Sequence, residues 1–153
     1  MKKNHLHIVL MHPEIPQNVG SIARLTAATC CRLHLIRPLG FDEDDRNLKR
    51  AGLDYWPYVD LEIHDSIQPL IKSLHNKVVF LSKKAIKPYT QIPLDTQLIV
   101  FGRETSGLPP YLWDEYSDCF YNIPMWHPNV RSLNLAISVG IVLYDQLSKR
   151  GLF

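Results

Sequence analysis

Three stretches of this chain are apolar without a break: Ile8–Leu10 inside His5–Met11, Val78–Leu81 and Leu98–Phe101; Leu33–Ile36, interrupted by His34, reads as a further strand. Unalternating runs of this length are the mark of strands covered on both faces, and such strands belong to parallel sheets. Between them the period lengthens to that of helices. Val19, Ile22, Ala23, Thr26, Ala27 and Cys30 recur at three- and four-residue spacing. They predict a helix from Val19 to about Cys31, capped by Asn18, with Arg24 off its inner face. A polar helix is expected over Asp45–Ala51 with Gly52 as its stop. A short strand over Val59–Ile63 and a helix over Ser66–Leu74 follow. Pro109 and Pro110 should open a helix reaching Tyr116, since proline suits the first helical position, and Phe120–Ile123 reads as the last strand.

The longest helix is predicted behind Ser132, read as its N-cap. Leu133, Leu135, Ala136, Ile137, Val139, Ile141, Val142 and Leu143 occupy every side of it. A helix that is apolar all round is buried all round, and one sheet covers only one of its faces. Two readings stay open: a core helix of a monomer, or a helix whose outer face meets a second subunit. Gly140 at its centre, which costs about 1 kcal/mol against alanine, points to close approach of another backbone. The run is too interrupted for a membrane span of roughly 20 apolar residues.

Composition narrows the class. At 153 residues, 46% hydrophobic and 21% charged, the chain has the size and make-up of one globular domain, taken as residues 1–153. A net charge of +2 gives no global field for nucleic acid. Any RNA site must rest on local patches such as Lys49-Arg50 or Lys83-Lys84-Lys87. Cys30, Cys31 and Cys119 are odd in number and include an adjacent pair, which fits reduced thiols in a cytoplasm. No signal peptide is expected at Met1–His5. No metal site is expected either, because His5 and His7 alternate along one strand, His12 follows its end and no cysteine lies near them in sequence.

Candidate chemistry sits in three loops, Pro13–Asn18, Gly102–Pro109 and Pro124–Ser132, which leave strand ends where open α/β sheets bind ligands. The second reads GRETSGLP, which is neither the dinucleotide glycine pattern nor a Walker loop. Glu104 would repel a phosphate, so this loop should hold a ligand that is not a polyanion, through backbone groups exposed at its glycines.

Taken together, PEIPQNVGSIAR (13–24), FGRETSGLP (101–109) and IPMWHPNVRSLNLAISVGIVLYD (123–145) resemble, in order and spacing, the three motifs of the SPOUT superfamily of RNA methyltransferases. The likeness is to its TrmH-like, 2′-O-methylating branch. GFDEDDRNLKRAGLDYW (40–56) is similar to the TrmL-type enzymes of that branch, which methylate the wobble nucleotide of leucine tRNAs (position 34, cytidine or modified uridine). The resemblance implies an α/β fold with a mostly parallel sheet, helices on both faces, a deep C-terminal trefoil knot and a homodimer formed through the C-terminal helix. It implies S-adenosylmethionine as methyl donor, the tRNA anticodon stem-loop as partner, no metal and no membrane.

Motif for motif, the cofactor would be held by Leu81, Gly102, Ile123, Ser132 and Leu133. Arg24, Asn18, Glu104 and Asn134 match the family's catalytic positions. A free arginine is a poor base, with a pKa above about 12, so Arg24 is assigned to clamping phosphate or ribose and to stabilising a forming alkoxide. The chain departs from the TrmL-type pattern twice. The loop IPMWHPNVRS is one residue longer and carries Trp126-His127, and NLAIS stands where NLSNA is expected. Trp126 has two open readings, stacking on an unpaired base or plain packing.

Overall fold

The computed structural model describes residues 5–44, 46–51 and 54–153, with backbone alone at 47, 49 and 51. Six strands are given by β1 (His7–Met11), β2 (Arg32–Ile36), β3 (Asp60–His64), β4 (Val78–Leu81), β5 (Leu98–Phe101) and β6 (Phe120–Tyr121). They lie in the order β3-β2-β1-β5-β4-β6, and every pairing is parallel. The helices are α1 (Pro16–Ala28), α2 (Arg46–Ala51), α3 (Gln68–Ser73), α4 (Pro110–Tyr116) and α5 (Leu135–Lys149).

Period-two alternation divides the strand side chains between two cores. Ile8, Leu10, Leu33, Leu35, Ile99 and Phe101 pack with α1, Leu48 of α2 and α5. Val9, Met11, Val78, Phe80, Leu98 and Val100 pack on the other face with α3 and α4. The parallel sheet with helices on both faces is therefore as the apolar runs predict. Each large apolar side chain taken fully out of water contributes roughly 1.5–3 kcal/mol, and two such layers hold the strand ends in place.

Two expected caps are wrong. Helix α1 starts at Pro16 behind Ile15, which makes no side-chain cap. Proline sets its own φ and has no N–H to satisfy, so it can begin the helix unaided, and Asn18 is left for other work. Helix α5 is capped by Asn134, not Ser132. Asn134 is extended (φ −53°, ψ 139°), and its Oδ1 accepts from Ala136 N at 2.8 Å and Ile137 N at 3.2 Å. Asparagine caps as well as serine, and here the chain stays extended two residues longer. The last strand ends at Tyr121, after which Asn122 exchanges backbone hydrogen bonds with the segment around Pro88. Asp45 and Gly52 lie outside the described residues, as does the side chain of Lys49.

Helix α5 is buried on one side only. Leu135, Val139, Val142, Leu143 and Leu147 are in the core, while Ile137 is 57% and Tyr144 45% exposed. A Cβ built on Gly140 would meet only Leu25 Cδ2, at an ordinary 3.9 Å. Among the described residues, then, no backbone of another element comes within 4 Å of that Cβ, and one side of the apolar helix is uncovered. Among the described residues no helix is long and apolar enough to cross a membrane.

Candidate functional site

From β1 the chain passes to α1 on one face of the sheet; from neighbouring β5 it passes to α4 on the opposite face. The two connections diverge, and a crevice opens beyond the carboxyl ends of the strands at such a reversal. A pocket of about 700 Å³ lies there. Leu81 reaches it from the end of β4, Gly102 from β5 and Ile123 from just past β6, with Ser132 and Leu133 arriving on the segment before α5. All five residues predicted to hold the cofactor thus line one cavity. Asn18, Glu104 and Asn134 line it too.

The glycine loop is folded by its own backbone. Arg103 and Gly107 exchange two hydrogen bonds, at 3.2 and 3.1 Å, with Gly107 at φ +70°. A Cβ on Gly102 would fall 2.4 Å from Gly107 C and 2.6 Å from Leu108 N. Only a residue without a side chain lets the loop close this tightly, and closure presents its main chain to the pocket.

The first two loops are tied together by crossed carboxylates. Glu104 Oε2 accepts from Glu14 N at 2.8 Å and its Oε1 from Ile15 N at 3.3 Å. In return Glu14 Oε1 accepts from Arg103 Nε at 3.0 Å, Thr105 N at 3.1 Å and Thr105 Oγ1 at 2.7 Å. Hydrogen bonds from Thr105, then the Arg103 cation, hold the Glu14 carboxyl below the usual carboxylate range. The third loop joins through amides: Asn134 Nδ2 donates to Asn18 Oδ1 at 3.0 Å, and Asn18 Nδ2 reaches Glu104 Oε1 at 3.5 Å. Three segments distant in sequence therefore share one polar chain from Glu14 to the N-terminus of α5.

Arg24 is not part of it. The side chain is on the exposed face of α1, where Nη2 donates to Tyr55 Oη at 3.0 Å and the guanidinium lies 4.4 Å over the Tyr55 ring. It does not line the pocket. Residues missed by sequence reasoning are Glu14, which belongs to the latch, and Arg103 and Arg131, which join Lys83 and Lys84 at the pocket. The sequence marks Glu14 only as a lone acid in the first motif loop. Trp126 stands 90% exposed beside the pocket residue Met125.

Comparisons with known proteins place the chain in a family. The model of a family described as the SpoU rRNA Methylase family matches residues 5–144. A Methylovorus glucosotrophus protein named tRNA (cytidine(34)-2′-O)-methyltransferase is 42% identical over 141 residues, covering 90% of this chain and 91% of its own. A Bacillus subtilis protein that carries the same name provisionally is 46% identical over 150 residues, covering 95% and 93%. Among solved structures, one described under 2′-OH methylation of C/U34 on tRNA superposes with a TM-score of 0.84 at 43% identity, covering 95% of this chain and 97% of that one. The fold alone is shared with the SpoU methyltransferase AviRb of Streptomyces viridochromogenes, solved with AdoMet (TM-score 0.82, 22% identity, 98% and 59% covered).

Proposed function

This chain belongs to the SpoU rRNA methylase family, and from that premise we propose that it methylates the ribose 2′-OH of nucleotide 34 in tRNA. The finer reading is the wobble cytidine or modified uridine of leucine tRNAs, met through the anticodon stem-loop in a cytoplasm. Residues 1–153 act as one methyltransferase domain. The observation that carries the proposal is the convergence of three motif loops on one pocket whose walls are apolar side chains and exposed main chain. S-adenosylmethionine, when bound, supplies a methyl group on a sulfonium that is already a good donor.

The pocket fits that molecule. Its volume is in the range of cofactor clefts, and Leu81, Ile123 and Leu133 offer apolar contact to a base. Main-chain groups of the glycine loop and of the segment before α5 can read the base's edge. The protein's remaining work is placement, which can supply on the order of 7–11 kcal/mol. Asn134, Asn18 and Glu104 fix the loops that do the placing. Both Glu104 oxygens already accept main-chain N–H groups, so Glu104 is read as a positioning residue. Lys83, Lys84, Arg103 and Arg131 form a basic lining suited to RNA phosphates.

Arg24 keeps its assignment as clamp and alkoxide stabiliser. It lies outside the pocket of its own chain, so it acts on a nucleotide held across α1 or in the pocket of a second copy. A homodimer through α5 makes the second route available. The uncovered Ile137 and Tyr144 support that dimer, as does Gly140, which among the described residues meets no backbone of another element within 4 Å of a built Cβ. The knot is part of the same reading. It is supported by the contact of the connections after β4 and β6 at Asn122 and by the return of α5 to pack on α1.

Mapping 2′-O-methyl groups in tRNA from cells with and without this gene tests the activity. Loss confined to nucleotide 34 of leucine tRNAs is expected. Unchanged methylation at nucleotide 34 in every tRNA would overturn the reading.

A further inference from the structure

Parallel pairing of β1, β2 and β3 lays three histidines side by side on the sheet face opposite α1. His7 Nδ1 lies 2.8 Å from His34 Nε2, and His34 Nδ1 lies 2.8 Å from His64 Nε2. The Glu62 carboxylate closes the row, its Oε2 3.5 Å from His64 Nε2 and 3.8 Å from His34 Nδ1. None of these residues lines the methyl-transfer pocket. Spacing along the chain hides the group, because each histidine comes from a different strand.

We propose that His34 Nδ1, His64 Nε2 and Glu62 Oε2 bind one divalent transition-metal ion of the zinc class. The three atoms lie within 4.8 Å of one another, and two imidazoles with a carboxylate are a ligand set that zinc takes. Ligands about 2.0–2.1 Å from a tetrahedral ion are roughly 3.3 Å apart. The two carboxylate contacts are close to that already. The two ring nitrogens must part by about half an ångström, and His64 and Glu62, with side chains 25% and 46% exposed, have room to do it.

The surroundings set the ligands as a metal site requires. Arg32 Nη1 donates to the other Glu62 oxygen at 3.2 Å and Arg32 Nε to Asp60 at 3.0 Å, leaving Glu62 Oε2 turned toward the histidines. His34 can carry its one ring proton on Nε2 and donate it to His7, which bares Nδ1. Three protein ligands leave a fourth position for water on the solvent side, and the bound ion would pin the edge strand β3 to β2.

The test uses the chelator-treated full chain titrated with ZnCl₂ by calorimetry and with CoCl₂ by visible spectroscopy. One equivalent should bind, cobalt should show the ligand-field bands of a four-coordinate site, and the melting temperature should rise with added zinc. Glu62→Gln and His64→Gln change accessible side chains and should each weaken binding at least tenfold, while His5→Gln should not. Circular dichroism establishes that each variant is folded. A wild-type chain without saturable binding below millimolar metal would leave only a hydrogen-bonded histidine row and overturn the proposal. So would binding that survives both variants, or a thiolate-to-cobalt band placing the ion on Cys30 or Cys31.

Discussion

Replacing Gly102 with alanine tests whether closure of the glycine loop makes the pocket. The added Cβ would meet Gly107 C at 2.4 Å, Leu108 N at 2.6 Å and Gly107 Cα at 2.7 Å, all of them backbone atoms. Packed carbon atoms rest about 3.5–4.0 Å apart, so the overlap is about 1 Å, and no flexible side chain can yield to relieve it. The 103–107 segment must move out. That strains its paired hydrogen bonds and pulls Thr105 from Glu14. Overpacking of this kind costs about 1–3 kcal/mol, which for a chain of this size lowers the melting temperature by roughly 2–12 °C. A misplacement of about 1 Å at a reacting centre costs on the order of 10²-fold in rate. Calorimetry should show weakened binding of S-adenosylhomocysteine, and scanning calorimetry the lower melting point. Gly107→Ala is the control. Its Cβ meets nothing within 4 Å but sits at φ +70°, so it should cost about 1–3 kcal/mol of backbone strain with less loss of binding. Wild-type affinity and melting temperature in Gly102→Ala would refute the reasoning.

Other consequences can be checked alongside. Glu104→Gln turns an amide donor toward the Glu14 or Ile15 N–H; it should destabilise by about 1–3 kcal/mol and loosen cofactor binding, read by denaturant melts and calorimetry. Glu14 has a depressed pKa, so its latch is in place above the ordinary value of 4.5 and is lost as pH falls through the lower one. Cofactor affinity should therefore fall on acidification below that range, and Glu14→Gln should remove this dependence. Ile137→Glu puts a carboxylate on the uncovered face of α5; sedimentation should show monomer, and an intact dimer would assign the interface elsewhere. Arg24→Ala should leave fold and cofactor affinity intact while single-turnover methylation at saturating tRNA falls about 10²–10³-fold; an unchanged rate would remove Arg24 from the chemistry.

The layered fold was legible because strands buried on both faces have to be apolar at every position, as Val78–Leu81 and Leu98–Phe101 are. Caps were less legible. Ser132 and Asn134 are equally good caps, and only the path of the extended segment before α5 chooses between them. The pocket residues could be named from their motifs, yet nothing in the spacing announced the crossed carboxylates, because Glu14 and Glu104 meet through tertiary folding. His34 and His64 escaped for the same reason, since lateral register in a parallel sheet is not written in local sequence. Sequence rules that treat knots as essentially absent give no reason to expect one here; a knot is an implication of the family resemblance alone.

Asn134 both caps α5 and donates to Asn18, and this bears on the order in which the protein is made. Every strand of the sheet and both other motif loops precede α5 in the chain. Domains acquire structure from the N-terminus during synthesis, so all six strands are made while the pocket still lacks one wall and one core layer still lacks α5. The amide that closes the wall is oriented only when the first turn of α5 has formed. Competence to bind a cofactor should therefore appear as a late, abrupt event on the ribosome. A chain ending before Leu135 would lack both the closing wall of the pocket and the α5 share of one core layer.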